Sequence, residues 1–278
     1  MNKSEYNPKE IAALITKILD TLDVNFKKKK VEQLSLDNIF LLMQDLYSLF
    51  NIYTELDRKA CGKLVITRYI KLINLMLSLE TRKSKLIEYH NQLKNAYKLA
   101  ARVSLEHFLI YYEWDLTDKV YEPRVNILEG YVHFLNTMCY NRKIKKLIVN
   151  MPSGYGKTRP EKMYEAFRLG IDPTITFMSV SSNDRLLRQT SRSVIDIIKS
   201  EQFGEVFPEL DYRTHKKTLF LKETDEDWKL KDCHLQTSYI TTTRDATATG
   251  FRCSASTHID DLYNDAYEAM SKDINERI

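Results

Sequence analysis

Apolar positions in the first part of the chain recur at intervals of three and four residues, from Lys9 to about Tyr112. One series consists of Ile11, Leu14, Ile15, Ile18, Leu19 and Leu22. This spacing places apolar side chains on one face of a helix. Gly62 is the only glycine before Gly130, so helix-breaking residues are scarce. The pattern predicts an all-α N-terminal region over residues 1–120, folded as a bundle or a long hairpin.

After about Tyr121 the pattern changes to short apolar runs that alternate with helical segments. The predicted order is strand, helix, strand, helix, at residues 146–150 (KLIVN), 158–169, 174–180 and 183–200. Shorter apolar runs follow at residues 218–221, 228–230, 235–240 and 254–259. Because strands that alternate with helices favour parallel pairing, we predict an α/β domain over residues 121–278 with a mainly parallel sheet and right-handed crossovers.

Composition limits the functional classes without choosing one. Of the 278 residues, 43% are hydrophobic and 29% are charged, which is typical of a folded protein. No run of about 18 apolar residues and no signal peptide is visible, so we expect an intracellular protein. The four cysteines are far apart and include no C-x-x-C pair, which argues against a disulfide framework or a zinc knuckle. The net charge of +4 permits a polyanionic partner without requiring one.

The stretch NMPSGYGKTRP at residues 150–160 carries the strongest chemical signal. A phosphate-binding loop needs a buried strand, a glycine-containing loop, and then Lys and Ser/Thr at the start of a helix. The residues for these tasks are Gly154, Gly156, Lys157 and Thr158. The lysine can reach the β- and γ-phosphates and the threonine hydroxyl can ligate Mg²⁺. The standard pattern has glycine where this chain has Met151, so the stretch by itself leaves an ordinary loop as the alternative.

A second signal is the acidic pair Asp260-Asp261, which follows the predicted strand over residues 254–259. We expect this strand to deliver the pair to the mouth of a nucleotide site. Asp260 would then hold Mg²⁺, and Asp261 would polarise the attacking water. The strand is more polar than usual, since it contains Ser256, Thr257 and His258. A cap on a following helix is the alternative interpretation of the two aspartates.

Together, these motifs make the region from about Lys146 to Ile278 resemble the ATPase domain of the large terminase subunit of tailed bacteriophages. The loop of that family typically reads P-P-R-x-G-K-[ST], to which residues 152–158 (PSGYGKT) correspond, and it needs no glycine at Met151. Three further stretches carry the resemblance: the helix before the loop, a strand–helix segment that ends in Phe-Pro, and a Thr-Gly turn with the acidic pair, at residues 128–158, 179–210 and 245–269.

The resemblance implies a RecA-like (ASCE) P-loop ATPase that hydrolyses ATP with Mg²⁺ and translocates double-stranded DNA into a procapsid. It implies that the nucleotide is bound by Ser153, Gly154, Tyr155, Gly156, Lys157, Thr158 and Arg159. Metal binding is implied for Thr158 and Asp260, and catalytic roles for Lys157, Asp261 and Arg252. The implied partners are the small terminase subunit, the portal protein and further copies of the chain in a ring. The expected location is the cytoplasm of the infected bacterium, with no membrane involved.

The chain also departs from the family. The family's loop arginine, which responds to the γ-phosphate, aligns with Gly154, and Arg159 is the nearby candidate to replace it. The sequence stops at Ile278, before the family's coupling motif and nuclease domain. We therefore expect a truncated ATPase domain without a nuclease, weakly active or inactive in isolation.

Two further groups of residues have open roles. Arg244 and Arg252 flank the turn TATG. Arg252 is expected to reach the nucleotide of a neighbouring subunit. A structural or DNA-phosphate role is the alternative for Arg252 and the preferred one for Arg244. Residues 121–124 (YEPR) lie where related ATPases contact adenine, and an interdomain turn is the alternative.

Two other functions remain open on the sequence alone. One is another P-loop translocase or helicase, which would require further motifs and a second RecA-like domain. The other is a non-catalytic assembly module that binds nucleotide weakly and uses its N-terminal helices to dock a partner. ATP turnover that depends on Lys157 and Asp261 separates an enzyme from the assembly module.

Overall fold

The computed structural model describes residues 82–141, 144, 146–152, 154–235, 237–243 and 253–260, with isolated positions between 67 and 78. The chain divides into two compact units, Met1–Val103 and Ser104–Ile278. The helices expected before residue 67 lie outside the described residues. No helix in the described part of the chain is both long enough and apolar enough to cross a bilayer.

In the first unit, the structure describes one complete helix, α1 (Lys83–Ala100). Its buried residues are Tyr89, Leu93, Ala96 and Ala100. Their spacing of four, three and four residues forms a single stripe along the helix. The helix therefore forms where the apolar periodicity predicts one.

The second unit contains six described α-helices and five strands. The helices are α2 (Leu105–Tyr112), α3 (Val125–Tyr140), α4 (Thr158–Ile171), α5 (Asp184–Lys199), α6 (Glu201–Val206) and α7 (Tyr212–His215). The strands are β1 (Phe177–Ser181), β2 (Phe220–Glu223), β3 (Asp227–Leu230), β4 (Tyr239–Thr243) and β5 (Ser256–Ile259). Short 3₁₀ turns occupy Glu122–Arg124 and Pro208–Leu210. Helix α2 contacts α3, α4 and α6, although it precedes residue 121, where the predicted ATPase domain begins.

The five strands form one mixed sheet with the order β2-β3-β4-β1-β5. Strand β1 pairs in parallel with both β4 and β5, whereas the β2–β3 and β3–β4 pairs are antiparallel. The α/β prediction is confirmed, and the prediction of a mainly parallel sheet is wrong. Only three residues separate β2 from β3, with Thr224 and Asp227 hydrogen-bonded across the turn. A turn this short can join only antiparallel strands.

Residues 146–150 do not form the predicted buried strand. Their backbone belongs to no strand, Leu147 and Val149 are half-buried, and Ile148 is 91% exposed. The segment lines an open groove of about 480 Å³ opposite Ile127 and Phe134 of α3. An apolar run has the propensity for a strand, but a strand also needs a hydrogen-bonded neighbour. Among the described residues this run has none, so the prediction is corrected.

Helix α5 forms as the sequence predicts and packs on the sheet. Its buried apolar residues are Leu187, Val194, Ile195, Ile197 and Ile198. Asn183 caps its first turn, since the side-chain oxygen accepts a hydrogen bond from the Leu186 N–H at 3.2 Å. The helix contacts β1, β4 and α4. It therefore links the parallel part of the sheet to the helix that follows the glycine-containing loop.

An aromatic cluster fixes the far side of α4. Phe108 of α2 lies near Phe167 of α4, Phe203 of α6 and Phe207, with ring centroids 5.7–6.2 Å apart. Gly170 of α4 has no side chain where a Cβ would lie 2.4 Å from the Phe207 ring. Because such interiors are close-packed, the cluster holds α4 in one position, and with it the chain segment that precedes α4.

Candidate functional site

The glycine loop, residues 150–157, leads directly into α4 and is described except for residue 153. Gly154 and Gly156 have φ angles of +83° and +88°, a region that favours glycine because a Cβ is strained there. Space is also limited at Gly156, where a Cβ would lie 3.1 Å from Val120 Cγ1. Tyr155, between them, is 43% exposed. The two glycines thus permit a main-chain path that other residues would resist.

Helix α4 begins at Thr158, immediately after this loop. The first N–H groups of a helix have no partner within the helix and form the positive end of its dipole. In α4 these donors are few, because Pro160 has no N–H and the Arg159 N–H donates to the Gly156 carbonyl at 3.3 Å. In the part of the chain that the structure describes, no side chain caps this end of α4. The Lys157 ammonium and the Thr158 hydroxyl lie at the same end. This set of donors is of the kind that binds phosphate groups at helix N-termini.

The structure brings the lysine of the glycine loop to the first residue of the acidic pair. Lys157 Nζ lies 3.0 Å from Asp260 Oδ1, and both side chains are about one-quarter exposed. Asp260 directly follows β5, and its N–H donates to the Val180 carbonyl at 3.0 Å, which extends the pairing with β1 by one step. Two sequence motifs that lie 103 residues apart therefore meet at one end of the sheet.

A polar network next to this ion pair was not predicted from the sequence. His258 Nε2 lies 3.3 Å from Glu161 Oε1, and Nδ1 lies 3.8 Å from Glu165 Oε1. Glu165 is only 3% exposed, and its other oxygen accepts a hydrogen bond from the Tyr239 hydroxyl at 3.1 Å. The same hydroxyl is 2.6 Å from Ser179 Oγ. The network thus joins β5, α4, β4 and β1.

The charges in this network follow from burial and proximity. Burial by itself lowers the pKa of His258, but the hydrogen bond to Glu161 and the charges of Glu165 and Glu161 outweigh it and raise the pKa to about 9. Burial raises the pKa of Glu165 to about 7, against the opposing effects of His258 and Tyr239. Burial also raises the pKa of the Tyr239 hydroxyl. The His258 imidazole therefore lies between two carboxyl groups, and their charge favours its protonated form.

The sequence contained a signal for this network. Glu161 and Glu165 are four residues apart, so they lie on one face of α4. Ser256 and His258 alternate with Thr257 and Ile259 along β5, so they share the face opposite to the more exposed pair. The polar character of β5 was visible, but its match to the two glutamates depends on how α4 and β5 align in space.

Arg159, predicted to bind nucleotide and to replace the missing loop arginine, is directed elsewhere in this structure. Its Nε lies 3.3 Å from Glu113 Oε1, and its guanidinium lies 5.0 Å from the centre of the Tyr112 ring. Glu113 is 2% exposed and its second oxygen accepts hydrogen bonds from the Val120 and Tyr121 N–H groups. Arg159 therefore ties α4 to the end of α2, and its predicted role at the γ-phosphate stays a prediction.

The segment considered for adenine contact lies partly against the glycine loop. Arg124 Cδ would be 3.5 Å from a Cβ at Gly156, and Pro123 is exposed. Tyr121 is 1% exposed, so its ring is already covered by the protein. In this conformation Tyr121 has no free face on which a base could stack, whereas Arg124 and Pro123 remain accessible.

Several predicted site residues lie outside the described residues, and their roles stay predictions. These residues are Ser153, Asp261, Arg244 and Arg252. Asp261 follows Asp260 directly in the sequence.

The residues present fit a nucleotide and a magnesium ion by their chemistry. Hydroxyl and carboxylate oxygens, which Thr158 and Asp260 offer, are the ligands that Mg²⁺ prefers. The lysine, the helix N-terminus and the left-handed glycines match a phosphate chain. A comparison of this chain with protein-family models, with curated proteins and with solved structures found no match.

Proposed function

We propose that the second unit binds and hydrolyses ATP as the motor ATPase of a terminase-type DNA-packaging machine. The observation that carries this proposal is the 3.0 Å contact between Lys157 Nζ and Asp260 Oδ1. Each residue belongs to a different motif of a P-loop ATPase. If the two resemblances had arisen by chance, there would be no reason for these residues to be in contact.

The position of Asp260 in the sheet supports the same function. Strands β4, β1 and β5 are parallel neighbours, and Asp260 follows the carboxyl end of β5. Ligands of α/β proteins bind outside the carboxyl ends of parallel strands. A RecA-like arrangement is the finer interpretation of this parallel half of the sheet, and we include it in the proposal.

The proposed reaction transfers the γ-phosphoryl group of ATP to water and yields ADP and phosphate. In this proposal Lys157 and the Thr158 N–H at the start of α4 bind the phosphate oxygens, and the Thr158 hydroxyl and Asp260 would hold the metal. A bound Mg²⁺ neutralises charge on the β- and γ-phosphates. Asp261 orients the attacking water in this proposal.

The wider role rests on the resemblance to terminases. The proposed work is the translocation of double-stranded DNA, through contacts with the phosphate backbone that are independent of base sequence and weaken with salt. The proposed assembly is a ring of copies of this chain with the small terminase subunit and the portal protein, in the cytoplasm of an infected bacterium. Arg252 would then act on the nucleotide of a neighbouring subunit.

Nucleotide binding and turnover test the proposal. The binding of a fluorescent ATP analogue and the release of phosphate are measured with and without double-stranded DNA, for the wild type, Lys157→Ala and Asp261→Asn. We expect Lys157→Ala to weaken binding by about tenfold or more, because a charged contact to the phosphates is lost. We expect Asp261→Asn to bind the nucleotide normally and to turn it over more slowly.

Lys222→Ala is the matched control, since Lys222 pairs with Asp227 on the β2–β3 hairpin and belongs to neither motif. Its nucleotide binding should equal that of the wild type. If the wild type binds no ATP, or if Lys157→Ala binds as well as the wild type, the nucleotide site is wrong. If binding depends on Lys157 but no variant releases phosphate even with DNA present, the non-catalytic assembly module replaces the motor.

A further inference from the structure

Two short rows of ionisable side chains face each other beside the glycine loop. Lys157, Glu161 and Glu165 are spaced by four residues, and the helical φ and ψ angles of α4 extend back to Lys157. Side chains at this spacing lie above one another on a helix. His258 and Asp260 are two residues apart on β5 and its extension, so they share a face of the sheet.

Each residue of the row on β5 and its extension contacts one residue of the row on α4. Lys157 contacts Asp260 at 3.0 Å, and Glu161 contacts His258 Nε2 at 3.3 Å. In each contact a basic side chain thus lies next to a carboxyl group of the other row. The contact between Lys157 and Asp260 is therefore the first of two adjacent contacts between the rows, which we call rungs. The second rung, His258–Glu161, lies further from the loop.

The second rung is anchored more firmly than the first. Glu165 lies 3.8 Å from His258 Nδ1 and also accepts the Tyr239 hydrogen bond. Tyr239 is fully buried, and its ring stacks on Trp228 at 5.1 Å between centroids. By contrast, the Lys157 and Asp260 side chains are 27% and 26% exposed. The imidazole is thus held on both sides, and β5 is fixed against α4 at His258.

A partly buried polar cluster of this kind adds little net stability compared with a well-packed apolar cluster of equal volume. Its main physical effect is geometric, because charge pairs permit few alternative alignments. Sliding β5 along α4 would separate both contacts, Lys157–Asp260 and Glu161–His258. Residues that do not bind a metal themselves, but fix the orientation of a side chain that does, also control metal affinity.

We propose that His258, held between Glu161 and Glu165, is a positioning residue that sets the place of Asp260 relative to Thr158 and thereby the affinity of the site for its divalent metal ion. This inference rests on the proposed nucleotide site. His258 itself touches neither the nucleotide nor the metal in this proposal, and it acts through two residues of main chain.

The test uses Mn²⁺ as a paramagnetic substitute for Mg²⁺ and the whole chain. Mn²⁺ affinity is measured by electron paramagnetic resonance in the presence of ADP, and affinity for a fluorescent ADP analogue is measured without metal. We expect His258→Gln to weaken Mn²⁺ binding by about tenfold, with metal-free nucleotide binding within about twofold of the wild type, since Lys157 and the α4 N-terminus remain.

Glu165→Gln provides a second variant, because glutamine preserves the size of the side chain and an acceptor for Tyr239. We expect it to weaken Mn²⁺ binding by about threefold, since only one of two carboxyl partners is lost. Arg192→Gln removes an exposed ion pair with Asp225 and is the control, with unchanged Mn²⁺ binding. Far-ultraviolet circular dichroism establishes that each variant is folded.

The outcomes separate the two claims. If the wild type binds neither nucleotide nor Mn²⁺·ADP, the proposed function fails and this inference fails with it. If the wild type binds both and folded His258→Gln and Glu165→Gln bind Mn²⁺ as tightly as the wild type, the positioning role is wrong and the proposed function stands. Equal losses of metal-free nucleotide binding and of Mn²⁺ binding would also overturn it, because they indicate a general structural defect.

Discussion

Two apolar runs with similar sequence patterns form different structures in this protein. Residues 174–180 (TITFMSV) lead into β1, where Phe177 is fully buried and pairs with Tyr239 on one side and Ser256 on the other. Residues 146–150 (KLIVN) belong to no strand, and Ile148 is 91% exposed. The sequence pattern predicts a buried strand for both runs, yet only one of them has partners.

The difference lies in what surrounds each run. β1 has a parallel neighbour on both edges and contacts α5. The run at 146–150 lies beside α3 in an open groove and continues into the glycine loop, whose left-handed residues end regular structure. The local sequence pattern indicates only the propensity of a run to form a strand. Whether the run pairs depends on whether the tertiary fold places another strand beside it.

The largest expected effect comes from the sheet that contains β1, the run that has strand partners. Trp228 of β3 is fully buried, stacks on Tyr239 and donates a hydrogen bond from Nε1 to Ser191 Oγ at 3.1 Å. Trp228→Ala should reduce the free energy of unfolding by about 3–5 kcal/mol, through lost burial and a new cavity. Urea unfolding followed by circular dichroism measures this change. Trp114→Ala is the control, since Trp114 is only half-buried, and a loss at Trp228 no larger than at Trp114 would contradict the assignment of β3 and β4 to the core.

A smaller effect is expected from pH, through Glu165 of α4, which is linked by the Tyr239 hydroxyl to Ser179 of β1. Glu165 has a pKa of about 7 in the folded protein, raised by burial from 4.5. The folded state therefore binds this proton more tightly than the unfolded state, and the stabilising contribution is complete below about pH 4.5 and lost as pH rises through about 7. The shift corresponds to about 3 kcal/mol.

The measurement compares the free energy of unfolding at pH 5 and pH 8 for the wild type and Glu165→Gln, which cannot ionise. His258, Glu161 and Tyr239 face this carboxyl group, and the raised pKa of His258 acts in the same direction at higher pH. The wild type should lose more stability than Glu165→Gln over this interval. Parallel pH profiles for the two proteins would show that Glu165 is not buried as the structure has it.

Much of the second unit could be predicted because its signals are local. The helix at residues 183–200 has a capping asparagine and a repeated apolar stripe, and Lys157 and Asp260 each belong to a recognisable motif. The antiparallel β2–β3 hairpin was missed as a pair, although both runs were identified, because pairing direction depends on the short turn between them. The His258 network was missed because it depends on the alignment of α4 with β5. No single segment of the sequence contains that information.

The smallest expected effect tests the unpaired region directly. Ile148→Ser changes a side chain that is 91% exposed, so the free energy of unfolding should change by less than about 0.5 kcal/mol. Ile198→Ser is the matched substitution at a fully buried position of α5 and should cost about 3 kcal/mol or more, through a cavity and a buried hydroxyl. Amide hydrogen exchange gives a second comparison, since N–H groups in β1 should be protected while those at residues 147–150 exchange quickly. A cost above about 2 kcal/mol for Ile148→Ser, together with slow exchange at 147–150, would mean that this run is a buried strand after all. The contrast with β1 would then vanish, because both runs would follow their sequence pattern.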